Sequence, residues 1–129
     1  MMQNEEYLGD TKIISVGKDR LSKYELEEIP ILERQTLYKV KEFIYYYIYL
    51  GYEGEGCAIF LDSNDKWHII DLGHCSCYGP LEDLKSVPME KEQVLELLKN
   101  GKYSYYDDHS NELKYVELID YLEKHDARN

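Results

Sequence analysis

The sequence predicts an α+β domain: a small antiparallel sheet of three or more strands with a central hairpin, packed by C-terminal helices. Three observations predict it. Gly56 to Leu61 and Lys66 to Leu72 are apolar runs separated by Asp62-Ser63-Asn64-Asp65, a set of residues suited to a tight turn. Glu42 to Tyr49 is dense in aromatic and β-branched side chains, which fit a pleated, half-buried surface. The C-terminal third carries two stretches with apolar residues at helical spacing, and helices following strands in this way give the α+β class.

Taken in order, the first 30 residues show little periodicity. Ile13-Ile14-Ser15-Val16 reads as a short strand, and Ser22 to Glu28 as a helical turn ending before Pro30. Ile31 to Lys41 is ambiguous, since Leu32, Gln35, Leu37 and Val40 fit a helix only loosely. The strand over Glu42 to Tyr49 and the hairpin follow. If the turn closes between Asp62 and Lys66, facing positions sum to 128, which sets Cys57 opposite Asp71 and Phe60 opposite His68. Val87-Pro88-Met89 opens a helix with proline near its first position and Glu90 and Glu92 in the first turn. Its stripe is Val94, Leu95, Leu97 and Leu98, and Asn100-Gly101 stops it. A last helix is expected from about Asn111 to His125, with Leu113, Val116, Ile119 and Leu122 on one side.

Composition bounds the function. At 129 residues without repeats, low-complexity tracts or a Ser/Pro-rich linker, one domain is expected over residues 1–129. Met1-Met2-Gln3-Asn4-Glu5-Glu6 is polar and acidic where a secretory signal is basic and then apolar. The most apolar run, Phe43 to Leu50, is well short of the roughly 20 residues that span a bilayer. An odd number of cysteines, with Cys75 and Cys77 too close to bridge without strain, argues for reduced thiols. A soluble, cytoplasmic protein is therefore expected. Twenty-six acids against 15 bases give a net charge of −11. No basic stripe exists to release counterions from a phosphate backbone, so direct binding to nucleic acid is disfavoured, as is binding to anionic membranes. An acidic surface suits a basic protein partner instead, while the plainer reading is that the charge keeps a small protein soluble.

Chemistry-bearing residues concentrate between Gly51 and Pro80, which holds all three cysteines, the only tryptophan and five of the eight glycines. Zinc takes four thiolate or imidazole ligands in a tetrahedron, and His74, Cys75 and Cys77 offer three such groups within four residues. A Cys-x-Cys spacing is a weaker signal than Cys-x-x-Cys, whose two intervening residues let the chain curl around the ion. Cys57 is the candidate fourth ligand, about 10 Å along the strand from the position facing His74, with a bend at Gly73 needed to bring them together. His109 is the alternate. His68 is rejected, because it points to the opposite face from Cys57. Against zinc stands a tight turn in which Gly73, Gly79 and Pro80 set the backbone and the cysteines are small buried residues. A catalytic thiol is a third reading, but only His74 adjoins it, and no catalytic residue is assigned.

The string Gly73-His74-Cys75-Ser76-Cys77-Tyr78-Gly79-Pro80, following a glycine-rich strand and a short hairpin, resembles small proteins encoded by bacteriophages and related mobile elements. The likeness covers roughly Phe43 to Leu81. It implies a phage-type origin, with no reaction and no catalytic residue carried over.

Fourteen tyrosines against two phenylalanines are unusual for a core, because each ring carries a hydroxyl that needs a partner. Such rigid amphipathic rings are favoured at protein-binding surfaces. Tyr45, Tyr46, Tyr47, Tyr49 and Tyr52 line one strand and its exit, where packing of the sheet is the plainer account. Tyr103, Tyr105 and Tyr106, beside Asp107 and Asp108, have no core periodicity and make the stronger candidate, with Glu82 and Asp83 as acidic neighbours. Acids outnumber lysines over residues 81–109, which argues against stacking of single-stranded nucleic acid there. The leading expectation is an acidic interaction protein that inhibits a basic nucleic-acid-handling host enzyme. Its carboxylates would take the place of phosphates, and with the phage-type resemblance this implies an anti-CRISPR-like protein acting on a CRISPR nuclease. The rivals are a small enzyme using the Cys/His cluster, although no P-loop, dinucleotide fingerprint, Ser-His-Asp set or H-E-x-x-H occurs, and a homo-oligomeric structural or regulatory phage component.

Overall fold

The structure, a computed structural model, describes residues 4–27, 29, 39–50, 53–72, 87–100 and 115–125. Among them, five strands form one sheet whose spatial order follows the chain: β1 (Asn4–Leu8), β2 (Thr11–Ser15), β3 (Val40–Leu50), β4 (Glu53–Asp62) and β5 (Trp67–Asp71). The helices are α1 (Lys23–Leu26), α2 (Lys91–Lys99) and α3 (Val116–Lys124). The α+β class and the hairpin hold, and the register deduced from the turn is the observed one: Cys57 faces Asp71 and Phe60 faces His68.

The sheet is mixed rather than antiparallel throughout. β2 pairs parallel with β3, while the other three pairs are antiparallel. Residues 16–39 separate those two strands, more than the dozen or so that a parallel crossover needs, and they carry α1 back over the sheet. β1 is the strand that apolar patterning does not reveal. It is an edge strand reading Asn-Glu-Glu-Tyr-Leu, paired among the described residues with β2 alone.

Both faces of the sheet are buried, which is why β3 and β4 read as continuous apolar runs rather than alternating ones. Phe43, Tyr45 and Tyr47 of β3 join Ile13, Ala58, Phe60 and Ile70 in a cluster closed by Leu21, Leu26 and Ile29. Ile44 joins Ile14, Cys57, Ile59, Leu61, Trp67 and Ile69 on the opposite face, under Val94 and Leu98 of α2 and Leu118, Ile119 and Leu122 of α3. Val40 shares the first face with Phe43 although their positions differ in parity. The register against β4 shifts between Val40 and Glu42, so the extra residue, Lys41, resets the alternation. Gly56 lets β4 lie close against β3, since a Cβ there would stand 2.2 Å from the Tyr46 carbonyl oxygen.

The C-terminal helices start later than their apolar patterns predict. Val87 to Met89 is extended, because Met89 forms a bridge to β5: its N–H donates to the Trp67 carbonyl at 2.8 Å and its carbonyl accepts from the Trp67 N–H at 2.9 Å. α2 begins only after Glu90, whose side chain and that of Gln93 complete a capping box. α3 begins after Tyr115. Its buried residues are Leu118, Ile119 and Leu122, with Tyr115 just before it, whereas Val116 is exposed. Leu113 and most of Ile31 to Lys41 lie outside the described residues. No helix among the described residues is long and apolar enough to cross a membrane.

Candidate functional site

Of the candidate metal ligands and the acidic and tyrosine residues of the predicted partner-binding cluster, Cys57 alone lies within the described part. His74, Cys75, Cys77, Glu82, Asp83, Tyr103, Tyr105, Tyr106, Asp107, Asp108 and His109 lie outside it. Cys57 is fully buried on the helix-covered face. Burial, with Asp71 opposite, pushes its thiol well above the ordinary range. A thiol so placed stays protonated, which makes it inert as a nucleophile and requires any bound metal to displace its proton against desolvation. Among the described residues no three His, Cys, Asp or Glu side chains are grouped to hold a metal ion.

The tyrosines of β3 divide between core and surface. Tyr45 and Tyr47 are fully buried, Tyr46 is half-buried and Tyr49 is exposed. The Tyr45 hydroxyl accepts from the Leu21 N–H at 2.9 Å, so the ring fills the core while its oxygen fixes the chain entering α1. Asp19 reinforces this attachment, its N–H donating to the Tyr47 carbonyl at 3.0 Å and its carboxylate accepting from the Tyr49 N–H at 2.8 Å. Glu25 then accepts from the Ser22 N–H at 2.7 Å as part of a capping box, and from the Tyr49 hydroxyl at 2.8 Å. A helix of only four residues is thereby held in place by side chains of β3.

Two acid–imidazole pairs occur that sequence reasoning did not assemble. Asp62 and His68 are both fully buried, with Oδ2 to Nε2 at 2.7 Å, while the imidazole stacks on Phe60 at a centroid distance of 4.2 Å. Asp62 Oδ1 also accepts from the N–H groups of Asn64 and Lys66, at 2.8 and 3.0 Å. Shut off from any substrate, this pair clamps the hairpin turn. Its signal was present, because the register sets Asp62 and His68 diagonally on one face. The second pair is Glu42 and His125, Oε2 to Nε2 at 2.7 Å, with Glu42 Oε1 accepting from the Tyr121 hydroxyl at 2.8 Å. Lys91 of α2 donates to the His125 carbonyl at 2.8 Å, and the His125 ring stands edge-on to Trp67 at 5.0 Å. These contacts lash both helices to the sheet. No sequence spacing foretells a contact between residues 42 and 125.

The accessible feature lies at the other edge of the sheet. A half-open cleft of about 510 Å³ runs between β1 and α1. Its apolar lining is Leu8, Ile13, Leu21 and Leu26, and Glu6, Arg20 and Lys23 supply charge, Arg20 lying 3.4 Å from Glu6. Tyr7 lines it as well and is 69% exposed, and Tyr24 on α1 is 85% exposed. Each is flanked by acids, Tyr7 by Glu5 and Glu6 within β1 and Tyr24 by Glu25 and Glu27. The tyrosine excess is the sequence signal for this site, but isolated tyrosines in a weakly patterned N-terminal third carry no spacing that locates it. Comparison with family models, curated proteins and solved structures returned no match.

Proposed function

We propose that this protein is a small acidic binding module whose partner is a basic protein. The observation that carries the proposal is the pairing of a −11 net charge with solvent-facing tyrosines: Tyr24 and Tyr7 are the two most exposed large apolar side chains among the described residues, and both stand beside acids. Acids without a basic neighbour among the described residues support it. Glu92 and Glu96 stand one turn apart on the exposed side of α2 and join no ion pair with another described residue, an arrangement that costs a helix about a few tenths of a kcal/mol and is useful to a partner that supplies the cations. Tyrosine provides rigid contact area at low entropic cost, and complementary charge speeds encounter and selects register.

The partner class is a nucleic-acid-handling enzyme, whose basic channel an acidic protein can occupy in place of phosphates. With the phage-type resemblance, the expected setting is the cytoplasm of a bacterial host and the expected role is inhibition of the anti-CRISPR kind, with a CRISPR nuclease as target. The test is a pull-down from nuclease-treated bacterial lysate, followed by competition between this protein and DNA or RNA for the captured enzyme. Capture of a basic enzyme, released by raised salt and blocked from its nucleic acid, is the expected result. No captured basic protein, or binding unchanged when Glu92 and Glu96 and the acids beside Tyr7 and Tyr24 are reversed to lysine, overturns it.

A further inference from the structure

The two edges of the sheet differ. At β5 the Met89 bridge occupies the outer side of Trp67, whereas β1 has no strand on its outer side among the described residues. The register is set by the two-residue turn Gly9-Asp10, with Gly9 at a φ of +60°, so Leu8 and Thr11 flank it as a hydrogen-bonded pair and Glu6 and Ile13 form the next. Val16 N–H donates to the Tyr45 carbonyl at 2.9 Å, which agrees: residues of that parity in β2 turn toward β3, and the intervening ones toward β1. Glu5 and Tyr7 are therefore left with their N–H and C=O groups directed away from the sheet.

We propose that β1 is a docking edge at which an extended basic segment of a partner protein adds as a further strand. This rests on the reading of the protein as a binder of basic partners and names the surface it uses. Strand addition supplies affinity through main-chain hydrogen bonds and specificity through alternate side chains. On one side of the added strand, side chains lie beside Glu6 and Leu8, where the cleft floored by Ile13, Leu21 and Leu26 receives an apolar residue. On the other they lie beside Glu5 and Tyr7, which suits lysine or arginine. The preferred segment alternates apolar and basic residues.

Charge selects this occupant over a second copy of the chain. β1 carries Glu5 and Glu6, its turn adds Asp10, and no base lies on the strand. Antiparallel pairing of two copies of β1 centred on Glu5 or Glu6 would set glutamate against glutamate, which destabilises a sheet, and any register brings together two chains of −11 net charge. Lys12 and Arg20 reach Glu5 and Glu6 from outside the strand at 2.9 and 3.4 Å, in half-exposed pairs that a partner's cations can replace. Acids on an edge also protect it from aggregation, but protection needs neither the cleft nor an exposed Tyr7.

The experiment uses the full chain, labelled with nitrogen-15, and a capped heptapeptide alternating lysine and valine with leucine at its centre. Saturation should slow exchange of the Glu5 and Tyr7 amides at least tenfold while the Glu6 and Leu8 amides, already paired to β2, change little. The same peptide N-methylated at alternate residues keeps its charge and should bind at least tenfold more weakly. Tyr7→Pro removes an outward donor without touching the ladder to β2, and should weaken the parent peptide equally while its thermal unfolding stays within a few degrees of wild type; Tyr7→Ala should weaken it less. Equal binding of the two peptides, protection elsewhere, or no binding at millimolar peptide overturns the proposal. So does slowed exchange at Glu5 and Tyr7 that depends on protein concentration alone, which assigns the edge to a second copy. A captured basic enzyme that binds Tyr7→Pro at full affinity sinks the edge and leaves the acidic-binder reading standing, whereas absence of any basic partner sinks both.

Discussion

Tyr45 shows how a polar atom is used inside an apolar cluster. Its ring packs with Phe43 and Tyr47, and its hydroxyl accepts the buried Leu21 N–H. Tyr45→Phe keeps the ring and leaves that N–H without an acceptor, so stability in urea should fall by about 1–3 kcal/mol. Cys57 makes the complementary point. Because burial holds its thiol protonated, iodoacetamide near neutral pH should leave it unmodified in the native chain and label it in urea, which peptide mass mapping would show. Glu42 carries a pH dependence. Burial pushes its carboxyl up, but hydrogen bonds from His125 and Tyr121 and the charges of His125 and Lys12 together outweigh burial and hold it below its ordinary value of 4.5. The fold thus favours the carboxylate. Its contribution should be complete above about pH 4.5 and should be lost as pH falls through the lower folded value. Glu42→Gln should flatten that acid limb in urea titrations run from pH 6 downward; an unchanged slope would remove Glu42 from the account.

Among the elements, the β4–β5 hairpin was the most legible, because its turn residues and its apolar runs specify the same register. What the turn residues did not disclose is that Asp62 belongs to the core. It accepts from two turn N–H groups and faces His68, so Asp62→Ala should destabilise by about 3–5 kcal/mol, whereas Ser63→Ala, at an exposed turn position, should stay within about 0.5 kcal/mol. Chemical denaturation of the two variants measures the contrast. β1 was illegible for the reason that makes it interesting: an edge strand with glutamates on both sides buries too little to show a period of two. The late start of α2 follows from competition, since Met89 satisfies its backbone groups against Trp67 and cannot also begin a helix.

At the scale of the whole molecule, the two apolar clusters share β3 and β4, so neither face can open without exposing the back of the other's strands. One cooperative transition is expected. Trp67, the only tryptophan, reports the helix-covered face, and its fluorescence should change in urea with the same midpoint as the far-ultraviolet circular dichroism. Separate midpoints would mean that the helices and the sheet unfold independently. Charge acts at this scale as well. Some acids stand in exposed ion pairs, such as Lys12 with Glu5 and Lys99 with Glu123, and the net charge is −11, so the affinity for a basic partner should fall steeply with salt while the fold itself changes little.

By itself the sequence determined the α+β class, the hairpin with its register, the aromatic strand β3, the presence of two C-terminal helices and the sign of the surface. All of these depend on contacts between near neighbours or on sums over the whole chain, which periodicity, turn chemistry and composition report directly. Tertiary structure alone decided that β2 lies parallel to β3, that Tyr45 and Tyr47 are core residues while Tyr7 and Tyr24 are exposed, and that Glu42 meets His125. It also decided that β1 lies at an edge of the described sheet, beside a cleft. Each of these joins residues distant in the chain, and a strand's place at an edge is defined by the order of the other strands. Local propensity contains neither kind of information, because both follow from how the finished sheet is ordered and covered.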